Sequence, residues 1–294
     1  MLFRQRKLLC AAAVILACAL LASCSAHVSR KPEPTNGNDF IDLAGTSSPA
    51  PGGTDEPAPS GDPTDTPADE PSPEPIETPE PTPEPYSVVL RETEDMGQEY
   101  LDKIIFLGDS TTYGLKYYAV LSGGKETQQV WTPSSGTLTL SYQGFATIVY
   151  PPTGEEIPIR DAVERTKPEM MVITLGVNGV SFMDEDYFKS EYTSLVTDIK
   201  AISPDTKIIL QSIFPVASTY EYLSSINNEN ITRANGWVLE VAEATGCHYL
   251  DTTSVLAGPD GWLPQEYQNG DGLHLNEVSF SIVTNYIRTH GWVD

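Results

Sequence analysis

The sequence predicts a domain of the α/β class, in which helices cover both faces of a mostly parallel sheet as three layers, α/β/α. Two observations lead to this prediction. After Tyr86, short apolar runs of strand length alternate with segments of helix length, and strands that alternate with helices form parallel sheets. The apolar runs also end in small or capping residues, as in Gly108-Asp109-Ser110, which is typical of a strand that turns directly into a helix. Roughly 200 residues of this kind make one domain.

Five strands of the sheet follow from apolar runs that turn residues close. Their residues are 104–107, 128–131, 170–175, 207–212 and 249–250. Helices fill the segments between strands, and several end at a proline or a glycine. Their residues are 112–121, 159–165, 187–202, 228–245 and 276–290. Two further β-rich segments, residues 137–142 and 146–150, flank Gln143-Gly144 and predict an inserted β-hairpin.

The chain is strongly acidic, with a formal net charge of −24 over 294 residues, so we expect neither nucleic acid nor an anionic membrane surface as a partner. Most of its 24 prolines lie early, and residues 24–86 are rich in Pro, Thr, Glu and Asp. Such a segment cannot bury enough apolar surface to fold. We therefore predict a disordered linker that acts as an extended spacer. Its Pro and Thr repeats could alternatively be a ligand for another protein.

Residues 1–23 have the pattern of an export signal, a positively charged start followed by an apolar run too short for a comfortable transmembrane span. The run ends in Leu-Ala-Ser-Cys at residues 21–24, which resembles the lipobox of bacterial lipoproteins and predicts lipidation of Cys24. An ordinary signal peptide or an uncleaved anchor are the alternatives. In each case the domain lies outside the cytoplasm. With the spacer, this predicts a lipid-anchored protein on the extracytoplasmic face of the cell membrane of a Gram-positive bacterium.

The four cysteines predict no disulfide and no zinc site. Cys10 and Cys18 lie in the signal, and Cys24 would carry the lipid. Cys247 is then left alone, without a partner for a disulfide and without the spacing of a metal site. We expect it to be a small buried residue beside the last strand.

Polar residues lie at the ends of three predicted elements, at positions that a scaffold does not require. Ser110 follows the first strand, Asn178 follows the strand of residues 170–175, and Asp271 and His274 lie just before the last helix. The carboxyl ends of parallel strands face one crevice, where ligands bind. Acyl transfer needs a hydroxyl, a base, an acid that orients the base and an amide donor. Here the acid and the base are three residues apart.

Each of these residues also has a purely structural interpretation. Ser110 and Asp271 could cap helices, Asn178 before Gly179 could be a turn residue, and His274 could be a surface histidine. The chain has three other histidines, and none of them is well placed for a site at the strand ends. They are His27, His248 and His290.

Three segments in this order resemble the first, third and fifth sequence blocks of the SGNH hydrolase, or GDSL esterase/lipase, family. They are Gly108-Asp109-Ser110, Gly176-Val177-Asn178 and Asp271-Gly272-Leu273-His274. The resemblance covers the domain of residues 87–294 and implies a flavodoxin-like five-stranded sheet. It also implies that Ser110 is the nucleophile, that His274 is the general base and then the acid, and that Asp271 orients His274.

The resemblance further implies an oxyanion hole made by the Ser110 backbone N–H, the Asn178 side chain and the N–H of a glycine that follows the second strand. We predict Gly136 for that glycine, with Gly144 as the alternative. The chain departs from the family at Gly179, where the third block often has an aspartate. That departure affects the local loop geometry rather than the oxyanion donor.

The function expected from this resemblance is extracytoplasmic hydrolysis of a small acyl ester, such as an O-acetyl group on a glycan, by a monomeric enzyme without metal or organic cofactor. Several aromatic residues could stack on sugar rings, although about half of them should be ordinary packing. They are Trp131, Tyr142, Phe145, Tyr150, Tyr220, Tyr222 and Trp262.

Three other functions remain open from the sequence. The domain could be a non-catalytic lipoprotein that binds glycan or cell wall, or it could pass the acyl group to another hydroxyl. A third interpretation makes the turn after the first strand a phosphate or flavin loop. That interpretation leaves Asp271 and His274 without a role.

Overall fold

The computed structural model describes residues 87–293. The predicted signal peptide of residues 1–23, the lipidation site at Cys24 and the linker of residues 24–86 lie outside the described residues and stay predictions. Within residues 87–293, no helix combines the length and the apolar character that a membrane crossing requires.

The domain consists of strands and helices that alternate along the chain. The strands are β1 (Ile104–Gly108), β2 (Val130–Trp131), β3 (Thr147–Tyr150), β4 (Glu155–Pro158), β5 (Met170–Thr174), β6 (Lys207–Gln211) and β7 (His248–Leu250). The helices are α1 (Gly97–Asp102), α2 (Ser110–Tyr117), α3 (Ile159–Thr166), α4 (Glu185–Ile202), α5 (Asn228–Thr245), α6 (Thr253–Leu256) and α7 (Glu277–Thr289). Short 3₁₀ helices cover Gly124–Glu126, Leu140–Phe145 and Gln265–Tyr267.

One five-stranded sheet carries the fold, in the order β2-β1-β5-β6-β7. Every neighbouring pair in it is parallel. The sheet and the helices that cover it confirm the predicted three-layer α/β/α fold. Its strand order reverses direction next to β1, the place where ligands bind in open sheets of this kind.

Two hydrophobic clusters lie on opposite faces of the sheet because successive residues of a strand point to opposite sides. In β1, Leu107 belongs to the cluster under α3, α4 and α5, whereas Phe106 belongs to the cluster under α1, α2 and α7. Ile173 and Val172 divide in the same way in β5. All four side chains are almost completely buried. Burial on both faces explains why these strands are continuous apolar runs in the sequence.

The inserted hairpin is present, but not where the sequence predicted it. The predicted strand of residues 146–150 corresponds to β3, which pairs antiparallel with β4. Residues 137–139 form a loop instead of the other strand, and residues 140–142 belong to the 3₁₀ helix Leu140–Phe145. Proline and acidic residues in β4 hide its strand character, because both are rare in strands. Such residues are tolerated here since the hairpin is a separate two-stranded sheet with solvent-exposed positions in β4.

The sheet brings the predicted site residues together through the pairing of β1 with β5. Gly108 and Thr174, the last residues of these strands, lie side by side. A Cβ atom at Gly108 would lie 2.8 Å from the Thr174 carbonyl oxygen and would clash with the Thr112 side chain. Glycine at this position therefore permits the tight turn from β1 into α2. The segments that carry Ser110 and Asn178 consequently begin at adjacent strand ends.

Candidate active site

Ser110 is the first residue of α2, and Asp109 is the residue that caps this helix. The Asp109 carboxylate accepts hydrogen bonds from the Thr111 N–H at 2.9 Å and from the Thr111 hydroxyl at 2.7 Å. Ser110 therefore does not cap the helix. As a first-turn residue, its own backbone N–H has no acceptor inside the helix and is available to a ligand at the strand ends.

The Ser110 hydroxyl, the His274 ring and the Asp271 carboxylate form one continuous hydrogen-bonded row. Ser110 Oγ lies 2.8 Å from His274 Nε2. His274 Nδ1 lies 2.7 Å from Asp271 Oδ2. These distances join three side chains that are separated by up to 164 positions in the sequence. The arrangement can move a proton from the hydroxyl to the ring while the carboxylate holds the ring in place.

A tight loop before α7 fixes the Asp271 carboxylate against the His274 ring. The second carboxylate oxygen, Asp271 Oδ1, accepts hydrogen bonds from the backbone N–H groups of Leu273 at 2.8 Å and His274 at 2.9 Å. Gly272 has a φ of +81°, and a Cβ atom there would lie 2.8 Å from the Tyr220 Cα atom. Only glycine fits such a position. The helix cap of α7 is Asn276, so Asp271 is not needed as a cap.

The environment of Asp271 favours its ionised form. Partial burial alone would raise the pKa of this carboxyl. The hydrogen bonds from the His274 backbone, the His274 ring and the Leu273 backbone outweigh it and lower the pKa below its ordinary value. A carboxylate that stays ionised accepts from Nδ1–H, which leaves Nε2 as the ring atom that faces the hydroxyl.

Asn178 lies beside the same turn and is held by the side chain of Asp109. Its amide nitrogen donates to Asp109 Oδ2 at 2.8 Å and to the Leu138 carbonyl at 3.3 Å. The backbone at Asn178 is not left-handed, since the non-glycine residues with positive φ in the described part of the chain are Ala119 and Lys167. A left-handed turn therefore does not explain why an asparagine occupies this position.

Asp109 is the site residue that sequence reasoning missed, because it was treated only as a turn or cap residue. It is completely buried. Burial raises its pKa to about 6, and the hydrogen bonds from Thr111 and Asn178 and the charge of His274 offset only part of that effect. Its position directly before the candidate serine, within reach of Asn178, was the signal that could have identified it.

Asp109 makes the stability of the protein depend on pH. Its folded-state pKa of about 6 lies above the usual value of 3.8, so the folded protein binds this proton more tightly than the unfolded chain does. The group therefore favours folding most below about pH 4, and that contribution falls by about 3 kcal/mol as the pH rises through 6. Urea unfolding from pH 4 to 7 should show this decline in the parent but not in Asp109→Asn. Parallel curves for the two proteins would contradict it.

The two glycines predicted for the oxyanion hole have different surroundings. A Cβ atom at Gly136 would lie 3.6 Å from Ser110 Cβ, so this glycine borders the candidate serine. Its N–H donates to the Pro133 carbonyl at 3.0 Å. Gly144 lies in the 3₁₀ helix, and a Cβ atom there would meet no atom within 4 Å. The structure therefore brings Gly136 close to Ser110, with its N–H committed to a turn.

Gly179 lies where little space remains for a side chain. A Cβ atom there would lie 2.7 Å from Met183 Sδ and 3.3 Å from the Gly176 carbonyl oxygen. An aspartate at this position would therefore require Met183 to move. The departure from the family sequence is a local packing difference in the loop after β5.

A cleft of about 470 Å³ opens on the side of Ser110 that His274 faces. Three tyrosines form much of its wall, and we refer to it as the tyrosine cleft. Its lining includes Ser110, Tyr113, Tyr117, Tyr118, Asp271 and His274. Residues 87–293 contain no cluster of three or more His, Cys, Asp or Glu side chains that could hold a metal ion. Cys247 is free and buried away from the row, and burial raises the pKa of its thiol.

The comparison with protein families shows which family this domain belongs to. The model of the GDSL-like lipase/acylhydrolase family matches residues 106–278, which is more than half of the chain. The chain belongs to this family. The match contains all three sequence blocks, including the two that carry the row described above. A comparison with curated proteins finds no matching sequence.

Solved structures with a similar fold include other GDSL-like proteins and carbohydrate-active ones. A GDSL-like lipase from Bacteroides thetaiotaomicron is 19% identical with a TM-score of 0.45, and the match covers 64% of this chain and 87% of that one. A carbohydrate esterase family 3 protein from Talaromyces cellulolyticus is 19% identical with a TM-score of 0.40, covering 63% and 93%. The periplasmic domain of a lipopolysaccharide acetyltransferase from Salmonella ser. Paratyphi A is 19% identical with a TM-score of 0.43, covering 63% and 82%. Similarities this distant do not show which substrate this GDSL-like chain acts on.

The aromatic residues expected to meet sugars divide into buried and exposed ones in this GDSL-like domain. Trp131 and Tyr150 are buried in the core, and Tyr220 and Trp262 pack against it. Tyr142, Phe145 and Tyr222 are exposed. Phe182, which the sequence analysis did not single out, is exposed as well.

Proposed function

We propose that this GDSL-like protein is a serine esterase that removes small acyl groups, such as O-acetyl, from a glycan outside the cytoplasm. The observation that carries the proposal is the unbroken row from Ser110 Oγ through the His274 ring to the Asp271 carboxylate. A hydrogen-bonded hydroxyl, imidazole and carboxylate are the parts from which acyl-enzyme chemistry is built.

In the first step, Ser110 Oγ attacks the ester carbonyl and its proton passes to His274 Nε2. The Oγ–C bond forms, and the carbonyl oxygen becomes an oxyanion. The C–O bond to the alcohol then breaks, and the proton on Nε2 goes to the departing alcohol oxygen. In the second step, water attacks the acyl-enzyme, gives its proton to Nε2 and releases the acid, and Ser110 recovers its proton.

The oxyanion would be met by the Ser110 N–H and the Asn178 amide. Asn178 makes its shorter hydrogen bond to Asp109 and its longer one, 3.3 Å, to the Leu138 carbonyl. The longer bond is the weaker of the two, so the amide can exchange it for the oxyanion while Asp109 holds the group in position. This role explains why a buried carboxylate with a raised pKa is kept beside the nucleophile. Gly136 supplies a third donor only if its N–H leaves Pro133.

The departing alcohol lies on the side of Ser110 that His274 occupies, because Nε2 must reach the alcohol oxygen. That side is the tyrosine cleft, so the cleft would take the alcohol part of the ester. Its mixture of tyrosine rings and hydroxyls fits a sugar, which presents both C–H faces and hydroxyl edges. The proposal also includes lipidation at Cys24, a spacer over residues 24–86 and a monomeric state. A protein anchored in this way would act on a substrate in the cell envelope.

The test of this function is the release of acetate and 4-nitrophenol from 4-nitrophenyl acetate by the purified full-length protein. We expect saturable turnover that is absent from the Ser110→Ala variant. A folded parent that shows no turnover over a range of short-chain aryl esters would contradict the proposal.

Loss of the Asn178 amide is expected to reduce turnover without abolishing it. Removal of one oxyanion donor typically lowers kcat about 10²- to 10³-fold. We expect Asn178→Ala to show a fall of this size in kcat with little change in KM, because the donor acts mainly in the transition state. Asn285→Ala, a change at an exposed position of α7, is the control. A fall of less than about threefold in Asn178→Ala would remove Asn178 from the oxyanion hole.

Acyl transfer to a second hydroxyl is the alternative within the same chemistry. It requires the acceptor to replace water in the second step, and it predicts that an added alcohol diverts product from free acetate to a new ester. The non-catalytic alternative predicts glycan binding that survives loss of both Ser110 and His274.

A further inference from the structure

Three surface depressions in the described domain are neighbours, because adjacent ones share lining residues, and Ser110 lines the first of them. The tyrosine cleft is the first. Tyr113 also lines the second depression, which has a volume of about 410 Å³. Pro133, Ser134 and Ser135 line both the second and a third depression of about 600 Å³. An acetyl ester of a single small alcohol would occupy only the first of these depressions.

The third depression, which we refer to as the aromatic groove, is lined by three exposed aromatic side chains. Tyr142 and Phe145 come from the 3₁₀ helix Leu140–Phe145, and Phe182 comes from the loop after β5. Their exposed fractions are 69%, 91% and 60%. Three large rings left in water around one groove form a surface that a ligand could cover, since rings of this size bury much apolar area when they are covered.

The remaining lining of the aromatic groove combines apolar and polar residues. Pro133, Leu138 and Ala146 are apolar, whereas Ser134, Ser135, Thr137, Thr139 and Thr147 carry hydroxyl groups and Glu156 carries a carboxylate. A hydrogen bond from the Ser134 N–H at 2.8 Å holds Glu156 and lowers the pKa of that carboxyl. The groove therefore disfavours an anion, as does the net charge of −24. Flat rings with hydroxyls and an acceptor match a neutral sugar chain better than an acyl chain.

The aromatic groove and the candidate active site are also joined through the backbone. Gly136 borders Ser110, and the Leu138 carbonyl accepts from Asn178. The intervening Thr137 and Leu138 itself line the groove. Phe182 lies four residues beyond Asn178 in the same loop. A ligand in the groove thus contacts the two segments that border the proposed oxyanion position.

We infer that the substrate is an extended neutral glycan whose reacting sugar occupies the tyrosine cleft and whose further rings pass Tyr113 and stack on Phe145 and Phe182. The inference rests on the proposed function and deepens it, because it assigns the specificity for a polymer to the aromatic groove. The rings of the groove are then binding residues remote from the chemistry, and their loss should affect long substrates alone.

The experiment compares kcat/KM of the full-length protein on randomly O-acetylated oligosaccharides of one and six rings, made from glucose, xylose and N-acetylglucosamine, and on 4-nitrophenyl acetate. We expect at least one six-ring substrate to exceed its one-ring counterpart. Phe145→Ala and Phe182→Ala should each lower kcat/KM on that six-ring substrate by about 2- to 12-fold, the range for one aromatic contact. The values for the one-ring ester and for 4-nitrophenyl acetate should not change.

Two replacements at position 145 separate sugar stacking from general apolar contact. Phe145→Trp keeps a flat ring and should retain the six-ring kcat/KM, whereas Phe145→Leu keeps apolar area and should show a fall like that of Phe145→Ala, about 2- to 12-fold. Trp292→Ala is the control, because the ammonium group of Lys207, the first residue of β6, lies over this ring, at the opposite end of the strands from the site. Equal activity on one and six rings for all three sugars would overturn the inference, and so would full retention by Phe145→Leu.

A parent protein without any esterase activity would overturn the proposed function but not the role of the aromatic groove in binding a glycan. The groove is then tested by titration of Ser110→Ala with unacetylated six-ring oligosaccharides in isothermal calorimetry. Binding that Phe145→Ala weakens supports the groove as a glycan site. A lack of binding to all three oligosaccharides overturns it. A parent that prefers 4-nitrophenyl esters of long acyl chains, with Phe145→Ala removing that preference, would assign the groove to acyl chains instead.

Discussion

Replacement of Ser110 by alanine is expected to lower kcat for 4-nitrophenyl acetate by about 10⁴- to 10⁶-fold, the loss typical of a missing nucleophile in a hydrogen-bonded triad. The change removes one oxygen from the first residue of α2. The helix itself is capped by Asp109, so its stability should be little affected. The measurement is the initial rate of 4-nitrophenol release at saturating ester.

A matched control for this change is Ser281→Ala, which removes an exposed hydroxyl that bonds only to the Glu277 carbonyl of α7. We expect parental kcat for this variant and parental circular dichroism for both. Retention of more than about one hundredth of the parental kcat in a folded Ser110→Ala protein would mean that another group attacks the ester.

Replacement of His274 by alanine is expected to cause a loss of similar size, about 10⁴- to 10⁶-fold in kcat. His274 Nε2 lies 2.8 Å from Ser110 Oγ, and without it the hydroxyl has no base to take its proton. The two losses should not add, because the hydroxyl and the ring act as one unit. The double variant Ser110→Ala, His274→Ala should therefore be as active as either single variant.

The measurement for this prediction is kcat for the two single variants and the double variant under one set of conditions. His290→Ala is the matched control, because its ring stacks on Tyr286 with centroids 3.8 Å apart and is not part of the row. If the double variant lost activity equal to the product of the single losses, the two side chains would act independently and the proposed mechanism would be incorrect.

The strands and the site-bearing turns were predictable because one physical feature dominates each. β1 and β5 are buried on both faces and so appear as unbroken apolar runs, and Gly108 is required where β1 turns. The parallel pairing of these strands then brings Ser110 and Asn178 to neighbouring ends. The loop of Asp271 and His274 was predictable from its spacing, but its distance from Ser110 depends on tertiary packing that no local pattern contains.

The strand β4 of the hairpin and the site role of Asp109 were not predicted, each for a different reason. β4 carries two glutamates and a proline, so its strand character depends on pairing with β3 rather than on propensity. Asp109 is a good helix cap by its residue type alone, and that role accounts for its presence locally. Its second contact, to Asn178 at a separation of 69 positions, is a consequence of the fold. The aromatic groove was likewise only partly predictable, because the fold and not the sequence brings Phe182 and Phe145 to the lining of one groove.

The most direct measurement of the proposed mechanism is covalent labelling of Ser110 by a fluorophosphonate, read by mass spectrometry of the intact full-length protein and of its peptides. The mechanism predicts one adduct per chain, located on Ser110, with labelling that is abolished in Ser110→Ala and strongly slowed in His274→Ala. A folded protein that hydrolyses 4-nitrophenyl acetate but carries its adduct on another residue, or carries none, would contradict the role of Ser110 as the nucleophile.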